Sequence, residues 1–188
     1  MASCLAAVSG LLWAQADAPA TIDPNLAHPA RLVQVDRTGY SIAGLVNQRA
    51  DAGPVRHGIA LFAGHPGILR LREEAGQAVF DLRGNFLVRS RRHWLDADTL
   101  IVLVDAPSDQ WHDFSQAFRT TPRYGEDVAA LLNELGGRFG VTDWTAVGTS
   151  EGSVSAFHAA RMNPALIRRV ILTASVFSPS RNGTGLSD

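Results

Sequence analysis

Apolar and polar positions along the chain follow two rhythms. Residues 58–63 (Gly-Ile-Ala-Leu-Phe-Ala), 99–104 (Thr-Leu-Ile-Val-Leu-Val), 144–148 (Trp-Thr-Ala-Val-Gly) and 169–174 (Arg-Val-Ile-Leu-Thr-Ala) are apolar at most positions. Short runs of that kind predict strands buried on both faces. Residues 31–35 and 40–46 are also strand-like, and Asp36-Arg37-Thr38-Gly39 between them ends in a glycine suited to a left-handed turn position. They predict a hairpin. Elsewhere the spacing turns helical. Over residues 124–139, Val128, Leu131, Leu132 and Leu135 fall on one face, predicting an amphipathic helix that frays at Gly136-Gly137. Residues 85–95 predict a helix with Phe86, Leu87 and Trp94 apolar and Arg89, Arg91 and Arg92 mostly solvated, and residues 153–162 predict another.

The intervening segments read as connections. Residues 47–57 form a loop around Gly53-Pro54, residues 68–82 an excursion hairpin around Glu74-Ala75-Gly76, and residues 105–109 a loop, while 110–123 are irregular. A hairpin followed by alternating buried strands and helices predicts the α/β class. The sheet is mostly parallel, with helices on both faces, and starts with an antiparallel hairpin.

Composition narrows the function. At 46% hydrophobic and 19% charged, 188 residues suffice for one domain with a sizeable core. A formal net charge of -1 supplies no attraction for nucleic acid or an anionic membrane. Every basic residue is arginine, and the total absence of lysine reads as coding bias in an alanine-rich chain. The single cysteine, Cys4, excludes an internal disulfide and a cysteine-based zinc site.

The N-terminus reads as an address. Residues 4–14 are an apolar run too short to span a bilayer, followed by Ala14-Gln15-Ala16, an A-x-A cleavage pattern with Asp17 as the mature start. No basic residue precedes the run, which leaves open a docked N-terminal helix or a misplaced start. The expected division is a signal peptide over 1–16, a linker over 17–30 and the main domain over 31–188. The expected location is periplasmic or secreted, with the cytoplasm as the alternative, and no membrane span in the mature chain.

The chemistry concentrates at Gly148-Thr149-Ser150-Glu151-Gly152. This G-x-S-x-G sits between a buried run and a helical segment, the context in which such a serine becomes an exposed nucleophile on a strained turn. Side chains at Gly148 or Gly152 would crowd the neighbouring backbone. The N-terminus of the following helix favours negative charge at the turn. A plain strand-to-helix turn with Ser150 as N-cap calls for the same residue types and stays open beside it.

The order of elements together with this pentapeptide resembles the α/β-hydrolase superfamily over residues 31–176. A second motif supports the resemblance: where many members carry H-G-G-P-G after the third strand, this chain reads Ala63-Gly64-His65-Pro66-Gly67. Alanine replaces the motif's histidine, and His65 takes the oxyanion-donor position, a role filled by a backbone N–H. The resemblance implies Ser150 as nucleophile and the backbone N–H groups of His65 and Glu151 as oxyanion hole. It also implies Gly64, Gly67, Gly148 and Gly152 as the glycines of loop and elbow, and the loop carrying Asp105 and Ser108 at the pocket rim.

In that family an acid and then a histidine follow the nucleophile. Here His158 is the only histidine after Ser150, and it reads as a core or surface residue; His65 is the better-placed imidazole, and Asp188 closes the tail. The expectation is therefore an N-terminal part of the fold without its last strands, acid and histidine, leaving an apolar sheet edge open to self-association.

Other candidates carry less. Glu73-Glu74 and Asp96/Asp98 read as loop charges, and Asp109, His112 and Asp113 are too scattered for a metal site. No phosphate-binding glycine motif is present, so neither cofactor nor metal is expected. The function expected is a serine hydrolase of a small-molecule ester. Alternatives are a proline iminopeptidase-like peptidase acting on an amide, and a non-catalytic truncated α/β module.

Overall fold

A computed structural model describes residues 21–23, 28–177 and 186. The expected signal peptide, most of the linker, and the tail with Asp188 lie outside the described residues.

A hairpin of β2 (His28–Arg37) and β3 (Tyr40–Asn47) opens the main sheet, in the register Arg37 to Tyr40 and Val33 to Gly44. Gly39 makes its turn at φ 84°. The strands begin earlier than the sequence suggests, and β1 (Thr21–Asp23) adds a further antiparallel edge to β2. Then come β4 (His57–Phe62), β7 (Thr99–Val104), β8 (Asp143–Thr149) and β9 (Ile167–Thr173), all parallel. The seven-stranded order is β1-β2-β3-β7-β4-β8-β9. A separate hairpin, β5 (Arg72–Glu74) with β6 (Gln77–Val79), occupies the expected excursion.

Period-two alternation divides the central strands between two cores. Ala60, Phe62, Leu100 and Val102 face α3 (Pro122–Phe139) and α4 (Glu151–Met162) with Leu131, Leu135 and Ala156. Leu61, Ala63, Ile101 and Leu103 face the opposite layer, with Phe80, Leu87 and Val88 from the excursion and α1 (Phe86–Ser90). These are the two covered faces expected of a parallel sheet, and the α/β architecture stands as read.

Three local expectations are corrected. The helix of residues 85–95 is only α1, followed by a 3-10 turn over Arg91–Trp94. Arg91 is not solvated but 1% exposed, with its guanidinium on the Val88 carbonyl and over the Phe80 ring. Burial pushes its pKa down to about 10. The expected loop of residues 105–109 runs into a 3-10 turn (Ser108–Gln110), and the segment 110–123 expected to be irregular holds α2 (Gln116–Arg119) and the first residues of α3. Caps explain both helices: Ser115 Oγ accepts from the Phe118 N–H, and Thr121 Oγ from the Tyr124 N–H, with Pro122 at the first turn. Finally, α3 does not fray at Gly136-Gly137. It ends at Gly140, left-handed at φ 77°, whose N–H donates to the Gly136 carbonyl at 2.9 Å.

Candidate active site

One residue makes the whole turn between β8 and α4. Ser150 sits at φ 51° and ψ −129°, a conformation that residues with side chains rarely adopt. Its surroundings hold it there. The Ser150 N–H donates to the Thr173 carbonyl at 3.1 Å, and the Ser150 carbonyl accepts from the Ser153 N–H at 2.9 Å and the Ser153 hydroxyl at 2.6 Å. Ser153 Oγ in turn accepts the Val176 N–H at 3.1 Å. The Ser150 hydroxyl caps nothing in the helix, so the serine occupies the N-cap position without doing the N-cap's work.

The glycines make room for this geometry. A Cβ on Gly148 would stand 2.7 Å from the Ser153 Cα, and one on Gly152 would stand 2.7 Å from the Ala63 carbonyl oxygen. A Cβ on Gly64 would lie 3.2 Å from Ser150 Cβ, so loop 63–67 rests against the turn. Among the described residues, neither the His65 nor the Glu151 backbone N–H has a hydrogen-bond partner. Glu151 is the first residue of α4, where no intrahelical acceptor exists. Two free donors thus flank Ser150.

Side chains around the turn form a chain of contacts. His65 Nδ1 lies 3.1 Å from Glu151 Oε2, its ring 76% exposed. Glu151 Oε1 accepts from Gln116 Nε2 at 3.1 Å, and Oε2 lies 3.5 Å from the buried Arg119 guanidinium. A cleft of about 320 Å³ opens beside Glu151, lined by His65, Pro66, Ile68, His112 and Phe114 among others. Its walls mix apolar surface with a few polar groups, as binding clefts do.

Other sequence candidates lie elsewhere. Asp105 is 1% exposed, inside the protein and not at a rim: its carboxylate accepts the Leu69, Leu71 and Ala106 N–H groups at 2.6, 2.8 and 2.8 Å. Ser108 Oγ accepts the Ser41 N–H at 2.9 Å, tying its loop to β3. Gly67, at φ 71°, closes against Arg119. His158 is 2% exposed on α4, within the core. Asp109 is engaged by Arg123, both carboxylate oxygens at 2.7 Å. Among the described residues no group of three or more His, Cys, Asp or Glu is placed to hold a metal ion, and no helix is long and apolar enough to cross a membrane.

Two residues of the site are not legible in the sequence. Arg119 lies in a segment without periodicity, and only its position between Phe118 and the α3 cap hints at burial. The Glu151 side chain is visible only as the variable position of the pentapeptide.

No family model matches the sequence, and no curated protein does. Solved structures match the fold. A PEG-bound complex of a cold-adapted esterase from an Arctic intertidal metagenomic library superposes with a TM-score of 0.50 at 14% identity, covering 80% of this chain and 62% of that one. Brefeldin A esterase, described as a bacterial homologue of human hormone-sensitive lipase, superposes with a TM-score of 0.50 at 17% identity, covering 88% of this chain and 46% of that one. The chain therefore spans between about half and two thirds of the length of these structures. The fold is that of the α/β-hydrolases, and Ser150 occupies its strand-to-helix turn.

Proposed function

We propose that the protein is a serine hydrolase acting on an ester-type acyl bond through Ser150. The observation that carries this reading is the Ser150 backbone at positive φ, held between Gly148, Gly152 and Gly64 with its hydroxyl released from helix capping. A turn that only joined strand to helix has no need of that strain.

In this mechanism Ser150 Oγ attacks the acyl carbon and its proton passes to a base. The carbonyl π-pair moves onto oxygen, and the backbone N–H groups of His65 and Glu151 receive that oxyanion. Collapse breaks the acyl–oxygen bond and expels the alcohol, which takes a proton. Water then releases the acid from the acyl-serine. Each preorganised donor contributes roughly 3 kcal/mol of transition-state stabilisation. The α4 N-terminus adds a favourable dipole. Both solved structures compared above carry esterase in their descriptions, which supports an ester substrate.

Export belongs to the same reading, supported by the apolar run and the Ala14-Gln15-Ala16 pattern. N-terminal sequencing of protein made in a bacterial host should return Asp17. Labelling with a fluorophosphonate, followed by peptide mapping, tests the chemistry. The adduct is expected on Ser150 and is absent from Ser150→Ala. A chain that takes no label at Ser150 is a non-catalytic module.

A further inference from the structure

We infer that Arg119 is a positioning residue for the catalytic turn, clamping the oxyanion loop onto the nucleophile helix. This rests on the reading of Ser150 as a nucleophile.

Arg119 ends α2 and is 1% exposed, in the core and yet charged. Its guanidinium reaches two bodies that must hold still relative to one another. One nitrogen, Nη2, donates to the Pro66 carbonyl at 2.7 Å, directly after His65, and lies 3.4 Å from the Phe114 carbonyl. The other, Nη1, donates to Ser155 Oγ on α4 at 2.9 Å. Glu151, which contributes the second oxyanion N–H, offers its carboxylate 3.5 Å from Nη2 and is held on the other side by His65 and Gln116. The guanidinium carbon lies over the Phe114 ring, 3.8 Å from its centroid, in a cation–π contact. A Cβ on Gly67 would come within 2.9 Å of the guanidinium, so the loop's glycine also makes space for it.

This arrangement is more than a buried charge satisfied where it falls. The two oxyanion donors belong to separate elements, loop 63–67 and α4. Their spacing has to match an oxygen that appears only in the transition state. Arg119 spans both elements with a planar fork whose geometry lysine cannot reproduce. Burial pushes its pKa down, and the neighbouring Tyr124 and Glu151 act against that shift.

The experiment compares fluorophosphonate labelling rate and p-nitrophenyl acetate turnover in the full chain with Arg119→Lys, Arg119→Gln and Ser155→Ala. Arg119→Lys keeps the charge but loses the span, and the expected result is a fall of roughly tenfold in kcat with KM little changed. Arg119→Gln should fall further. Ser155→Ala removes the Ser155 contact of the clamp, along with the Ser155 hydrogen bond to Tyr124, and leaves the Pro66 and Phe114 bonds; a loss of about threefold in kcat is expected. It reports even if the arginine variants do not fold. Millimolar guanidinium should restore part of the rate of Arg119→Gln, which a merely loosened core would not show. Parent chain that labels at Ser150, with equal rates in Arg119→Lys and Ser155→Ala, overturns this inference and leaves the Ser150 reading intact. Parent chain that does not label at Ser150 overturns both.

Discussion

Asp105 binds the backbone of Leu69: its Oδ1 accepts the Leu69 N–H at 2.6 Å, while Oδ2 accepts the Leu71 N–H at 2.8 Å. The carboxylate at the end of β7 thereby replaces a sheet partner for the segment that follows the oxyanion loop. It carries a cost. Burial pushes the Asp105 pKa up to about 6, against the backbone N–H groups of Leu71, Leu69, Ala106 and Arg70 that favour its ionised form.

Stability should therefore depend on pH through this group with an unusual sign. Because the folded pKa lies above the unfolded one, the folded state binds the proton more tightly between the two. The group's contribution is greatest below the unfolded value, falls as pH rises to about 6, and is level above it. The whole change amounts to about 3 kcal/mol. Urea unfolding of the parent and Asp105→Asn at several pH values from 4 to 7 should show their difference shrinking as pH rises. A constant difference would remove Asp105 as its source.

Glycine at 148 and 152 should be a requirement of the elbow. Gly152→Ala drives a Cβ against the carbonyls of Phe62, the last residue of β4, and of Ala63 after it, and Gly148→Ala drives one into the first turn of α4. Neither neighbour is a flexible side chain that can move aside. Each change should cost about 2 kcal/mol or more in urea unfolding. Ser150 labelling should fall with it. Stability within experimental error of the parent would mean that the strand and helix can separate at this point.

Much of this was legible in the sequence, because strands buried on both faces are plainly patterned. Residues 99–104 and β7 coincide, and the glycines at 148 and 152 between two periodicities mark the strand-to-helix turn at Ser150. What escaped was non-periodic. Arg119 sits in a four-residue helix too short to show a face, and it is held by the Pro66 carbonyl and Ser155 Oγ, both far away in sequence. Arg91 looked solvated beside Arg89 and Arg92, and only the turn to 3-10 geometry carries it inward. Asp105 reads as a rim residue of its loop, and its burial escapes because its partners are backbone N–H groups, which no side-chain motif records.

The sheet edge at β9 should bring copies of this chain together. Among the described residues β9 pairs only with β8, and Val170 and Ile171 are 38% and 42% exposed. Unpaired N–H and C=O groups beside apolar side chains invite another strand. Light scattering behind gel filtration should find dimers or larger species, and Ile171→Lys should shift them toward monomer. A parent chain that elutes as a monodisperse monomer at all concentrations would refute this.

Unaided, this chain should perform little chemistry. Among the described residues nothing hydrogen-bonds the Ser150 hydroxyl, and a serine without a base is a weak nucleophile. An oxyanion hole and binding alone can still sustain about a thousandfold over the uncatalysed rate. Turnover of p-nitrophenyl acetate should therefore be slow, and Ser150→Ala should abolish it. His158→Ala should leave the rate per folded molecule unchanged, because His158 lies within the core on α4. His65→Ala is the decisive comparison, since His65 is the imidazole tied to Glu151 at the turn. If its backbone N–H is its contribution, the variant keeps the parent's pH–rate profile. Fast turnover with a pH-dependent limb that vanishes in His65→Ala would instead make the side chain the base, working within these 188 residues.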